Sequence, residues 1–137
     1  MSGRMKTKLL LSLLLSSALS IAVAEEVTLD SARPVVIKSL PEAGSAAVDP
    51  STTEIRVTFS KEMQPGAWSW CLIDKETYPG TSESPKYLDD KRTCVLPVKL
   101  QPGKTYAVWI NSEKLHNFKD VKGQIAVPYL LVFKTRD

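Results

Sequence analysis

Histidine occurs once in this 137-residue chain, at His116, and neither a second nitrogen nor a paired carboxylate stands beside it at a useful local spacing. That removes most general acid–base arrangements. Gly-x-Ser-x-Gly, His-Glu-x-x-His, a phosphate-cradling glycine loop and zinc-type cysteine pairs are all missing, so no catalytic residue, cofactor or metal is expected. The adjacent acids Asp89-Asp90 read as a turn, because neighbours on a strand point to opposite sides. Asp89, Asp90 and Asp120 do not follow EF-hand spacing. The chain does not read as an enzyme.

Long apolar runs are lacking too. The one candidate, residues 9–21, is short and interrupted by serines, and Glu25 and Glu26 follow where a stop-transfer segment would be basic. With Arg4, Lys6 and Lys8 before it and Ala22-Val23-Ala24 after it, residues 1–24 read as a secretory signal peptide. Cleavage there leaves no stable membrane span and places the mature chain in the periplasm or outside the cell. It also removes three of the 18 basic residues and none of the 15 acidic ones, leaving 15 against 15. A neutral domain with both signs interspersed lacks the footprint of a nucleic-acid binder.

What remains is one domain's length of turn-punctuated apolar runs. Residues 25–33 read as a flexible, polar lead-in, and 34–137 as a single folded domain. Strands are expected at 34–40, 53–60, 68–73, 92–100, 104–111 and 128–135. The clearest carries Ile55, Val57 and Phe59 on one face and Glu54, Arg56 and Thr58 on the other. Gln64-Pro65-Gly66, Tyr78-Pro79-Gly80 and Gln101-Pro102-Gly103 supply turns. Nine prolines break any long helix, so the fold class is all-β, an antiparallel sandwich of about seven strands. Pro97 implies an edge position or a bulge for its strand.

Residues Pro41-Glu42-Ala43-Gly44, Val48-Asp49-Pro50, the strand Ile55 to Met63 with its Phe-Ser-x-x-Met ending, Leu100 to Tyr106 with Pro-Gly-x-x-Tyr, and Asp120-Val121-Lys122-Gly123 occur in that order. Together they resemble a bacterial Ig-like domain of the type found in S-layer and other surface proteins. The resemblance implies an Ig-like β-sandwich serving as a spacer or binding module, without a shared catalytic or metal site. Independently of it, Pro102-Gly103 makes a tight turn, and Tyr106 is placed to hydrogen-bond back across it, as in a tyrosine corner.

Two binding surfaces stand out. With Tyr106, Val108, Ile110, Leu131 and Phe133 turned to the core, Trp109, Leu130 and Val132 are left outside and, with Cys71 or Ile73, form an apolar patch. Such a patch suits an envelope or surface protein, or a second copy. The connection 74–91 is longer than a hairpin loop, and an exposed Tyr78 and Tyr87 beside Trp68 would suit a glycan or small ligand. Cys71 and Cys94 are a candidate disulfide in an exported chain. Strand parity puts Cys94 inward with Leu96 and Val98 and Cys71 outward, whereas a bulge would bring them together, so the pairing stays open.

Overall fold

The computed structural model describes residue 3, residues 14–21 and residues 26–137. The basic start and the cleavage box of the expected signal peptide lie outside the described residues. No helix among the described residues is long and apolar enough to cross a membrane.

Eight strands form in chain order: β1 (Val36–Leu40), β2 (Glu54–Phe59), β3 (Trp70–Leu72), β4 (Gly80–Thr81), β5 (Lys86–Tyr87), β6 (Thr93–Lys99), β7 (Thr105–Ile110) and β8 (Tyr129–Lys134). All strand pairs are antiparallel. One sheet runs β1-β2-β6, with β4 and β5 both on the far edge of β6, and the other runs β3-β7-β8. This is the all-β sandwich expected from turn spacing and period. The two strands beyond the six expected, β4 and β5, are two-residue pieces of the 74–91 connection folded against β6.

Those pieces correct the reading of Pro97. Its strand is an inner one, lying between β2 and the β4/β5 edge. Thr81 faces Val98 and Lys86 faces Val95, so Leu96 and Pro97 lie where that edge is interrupted by residues 82–85. A residue with no backbone N–H therefore sits where no ladder bond is demanded of it.

Period-two alternation packs the core. Ile55, Val57 and Phe59 of β2 meet Cys94, Leu96 and Val98 of β6 on one side, and Tyr106, Ile110, Leu131 and Phe133 close it from the other sheet. Phe118, from the loop after β7, completes it against Phe59 and Trp70, with ring centroids 5.1 and 5.6 Å away. The Tyr106 hydroxyl accepts the Gln101 N–H at 2.7 Å, so the tyrosine spans its own turn as its spacing implied. Its ring lies in the core beside Phe133, with centroids 5.5 Å apart.

Edges are managed locally. After the cis Leu40–Pro41 peptide the chain runs beside β8, where Gly44 donates to the Val132 carbonyl, Lys134 to that of Ser45 and Val48 to that of Lys134. This strip occupies backbone groups along β8 that would otherwise invite another chain. A register shift between Val36 and Lys38 interrupts the open edge of β1 in a different way.

Candidate functional site

The outer side of β3-β7-β8 is built by alternation. Because Tyr106, Val108 and Ile110 are buried in the core direction, Ala107 and Trp109 emerge on the opposite side. Register then sets Cys71 opposite Trp109 and Trp109 opposite Leu130, with Ala107 opposite Val132 in the next row. Strands lie about 4.8 Å apart, so Cys71, Trp109 and Leu130 form one continuous cross-strand row. The four residues expected to share an apolar surface are brought together.

Coverage is partial. Leu130 is 40% exposed, Trp109 and Val132 are half-buried, and Cys71 and Ala107 are buried. Ala107 donates its N–H to the Thr77 carbonyl, so the turn after β3 lies along β7, and the 44–48 strip flanks β8. Loops therefore border the row, while Trp109, Leu130 and Val132 keep part of their surface in water. Ile73, half exposed, extends the apolar character past the end of β3.

The tyrosines of the long connection behave differently. Neither is exposed in the way the sequence suggested, since both are half-buried with their hydroxyls engaged. Tyr87 on β5 donates to the Ala67 carbonyl at 2.8 Å and packs against the core, and burial pushes its phenol far above the usual range. Tyr78 donates to the Trp70 carbonyl at 3.4 Å, and burial raises its phenol as well. They serve different surfaces. Tyr78 lines a cleft with Trp68 and Trp70, and Tyr87 a separate groove with Lys86 and Leu88. The connection is also ordered from its start, where Asp74 accepts both the N–H and the hydroxyl of Thr77.

Cys71 and Cys94 are free thiols in different sheets. The parity argument holds: Cys94 is a core residue of β6, and Cys71 lies on the outer row of β3. Burial pushes the Cys94 thiol up to about 12, although the facing Trp70 indole and the Val95 amide act the other way. The Trp70 Nε1–H finds no hydrogen-bond partner, so this soft sulfur is what it faces without forming a hydrogen bond. Burial raises Cys71 too, and its thiol donates to the Ser69 carbonyl at 3.4 Å. Thiols held this way are poor nucleophiles.

Two polar hubs escaped the sequence reading. Lys61, two residues beyond Phe59, places its ammonium 2.8 Å from Oδ2 of the buried Asp120 and donates to the Asp30 and Ala32 carbonyls and to Gln124 Oε1. Oδ2 meets ion-pair distance without hydrogen-bond alignment, whereas Oδ1 accepts the N–H groups of Lys122 and Gln124. Burial alone would raise the Asp120 carboxyl, but Lys61 and the two amides together hold it below the usual carboxylate range. The hub ties residues 30–32 to the sandwich beside a groove of about 640 Å³. The second hub is Asn111, fully buried at φ 59°, where an asparagine is tolerated. Its side chain accepts the Phe118 N–H and donates to the Phe118 and Ala126 carbonyls, at 3.0 to 3.1 Å. An asparagine directly after the apolar run of β7, a residue type that tolerates the left-handed region, was the available signal for it.

Among the described residues no group of three or more His, Cys, Asp or Glu side chains could hold a metal ion. The buried polar groups are engaged within the fold: Asn111 and Thr135 with backbone, Asp120 with backbone and Lys61, and Thr93 with the side chains of Thr58 and Asp90.

Comparison with known proteins is consistent with this geometry. No curated protein matches the chain. Among solved structures, domains 1–6 of the surface layer protein SbsC are 24% identical, with a TM-score of 0.50 over 78% of this chain and 14% of that one. The N-terminal part of the bacterial S-layer protein SbsC matches at the same identity and TM-score, over 78% of this chain and 24% of that one. The chain thus spans a quarter or less of those structures, and the likeness is one of fold. The family model described as bacterial Ig-like domain matches residues 30–135, nearly the whole sandwich, and the chain belongs to that family.

Proposed function

We propose that the protein is an exported, non-catalytic Ig-like module of the bacterial envelope or surface, acting by contact with a protein partner or a second copy through the outer side of β3-β7-β8. One observation carries this: the Cys71–Trp109–Leu130 row, with Val132 beside it, is apolar on the solvent side of a sheet whose other side already fills the core. Residues 1–24, with their signal-peptide pattern, support export, and the mature unit is then a polar lead-in followed by one sandwich over 34–137. Fold relatives in S-layer proteins agree with a surface role.

The test is the solution mass of the mature protein by light scattering over a concentration series, with Trp109→Ala in parallel. Association that Trp109→Ala abolishes assigns the row to self-contact. A monomer in both cases directs the search to an envelope protein, captured with the native chain and not with Trp109→Ala. Capture that is equal for both would refute the outer-face reading.

A further inference from the structure

A cleft of about 350 Å³ opens among β3, residues 78–85 of the long connection and the loop after β7, and Trp109, Leu130 and Val132 do not line it. Its size falls within the range of small-ligand sites. Trp68, Trp70 and Tyr78 wall it, and each keeps part of its surface exposed. The walls are preset. Trp70 is wedged edge-on against Phe118, and Tyr78 is held to the β3 backbone through its hydroxyl. A ligand would therefore meet aromatic surface already in place, with little ordering cost on binding.

The rim is polar and unspent. Thr81, Glu83 and Asn117 line the cleft, and among the described residues none of their side chains is used in an internal hydrogen bond or ion pair; Asn117 engages Ser69 only through its backbone N–H. These groups offer a hydroxyl, a carboxylate and an amide, a mixed set of donors and acceptors. Glu83 is the one charged residue in the lining, and Lys86 and Lys114 stand close by in sequence, so the cleft presents no field of a single sign. With no basic side chain in the lining, an anionic ligand has no counter-charge there. A flat molecule with an apolar face and a hydroxylated edge matches both walls and rim.

We propose that this cleft is a binding subsite for a neutral glycan, taking one sugar ring with its C–H face on the Trp68–Trp70–Tyr78 wall and its hydroxyls on Glu83, Asn117 and Thr81. Tyr87, which lines a different groove, takes no part. The subsite is independent of contact through the Trp109 row, so either can fail without the other.

The experiment is a titration of isotope-labelled mature protein, read at the three tryptophan indole N–H signals. Cellotetraose and chitotetraose serve as neutral probes, a galacturonic acid tetramer as the anionic one and tetramethylammonium as the cationic one. A neutral probe is expected to move the Trp68 and Trp70 signals and leave Trp109 in place, with a dissociation constant on the order of 1 mM. Glu83→Ala with Asn117→Ala, both exposed and so harmless to folding, should weaken binding by about tenfold or more with an unchanged melting temperature. Trp109→Ala should bind as the parent does. Signals that stay still with both neutral probes at about 20 mM, some twenty times that constant, would overturn the proposal. So would signals that respond only to the uronate or the ammonium probe, or binding that survives the double substitution.

Discussion

The two solvent-facing sides of the sandwich are built on the same alternation and end differently. On the β1-β2-β6 side, Arg56 pairs with Glu54 along β2 and Thr58 shares a hydroxyl bond of 2.9 Å with Thr93 across to β6. On the β3-β7-β8 side the equivalent positions carry Cys71, Trp109, Leu130 and Val132. The first side is mostly finished by its own polar pairs, with Leu40 of β1 as an isolated apolar side chain beside Arg56. The second carries a continuous apolar row across three strands, and that difference is what the proposed contact surface rests on.

The strongest way to break this comparison is to remove what both sides share. Phe59→Ala or Phe118→Ala should cost about 3–5 kcal/mol, because each deletes a buried ring from the common core; denaturant unfolding measures it. Asn111→Ala should cost about 3 kcal/mol, since it strands the Phe118 N–H in the interior, takes one of two donors from each of the Phe118 and Ala126 carbonyls and puts alanine at positive φ.

Asp120→Ala should cost about 3 kcal/mol by leaving Lys61 without its carboxylate. The same pair sets a pH window. A carboxyl held below its unfolded value contributes fully above about pH 4, and that contribution is lost as pH falls through the lowered folded value. Melting temperatures should therefore be flat from pH 7 down to about 5 and fall below about 4, and Asp120→Asn should make the acid limb shallower.

Substitutions on the two outer sides sharpen the contrast. Trp109→Glu should abolish association, whereas Arg56→Ala should leave association intact and change stability by about 0.5 kcal/mol or less, as for an exposed pair. The smallest effect is expected from reductant. With both thiols free and buried, dithiothreitol should not shift the melting temperature, and alkylation after denaturation should find both cysteines unpaired.

Much of the scaffold was legible in the chain. The β2 pattern, the Pro102-Gly103 turn with Tyr106, and the outward set Trp109, Leu130 and Val132 all follow from local period and turn chemistry, which act within a few residues. The 74–91 connection was legible as long, but not as two edge strands, because its partners Val95, Cys94, Val98 and Lys99 come later in the chain and carry no local mark. Tyr78 and Tyr87 looked equivalent for the same reason. Their burial depends on which side of β6 and β3 each loop half reaches.

By itself, then, the sequence determined the inward and outward sides of β2, β6, β7 and β8 and where the chain turns, and it pointed to an apolar outer row at Trp109, Leu130 and Val132. Only the tertiary structure decided that Lys61 meets Asp120 across 58 intervening residues, that Asn111 serves the carbonyls of Phe118 and Ala126, and that Trp68, Trp70 and Tyr78 wall a common cleft. Alternation and turns are fixed by dihedral preferences of neighbouring residues. Pairing between distant segments is settled by the collective packing of the core, to which no single stretch of sequence holds the key.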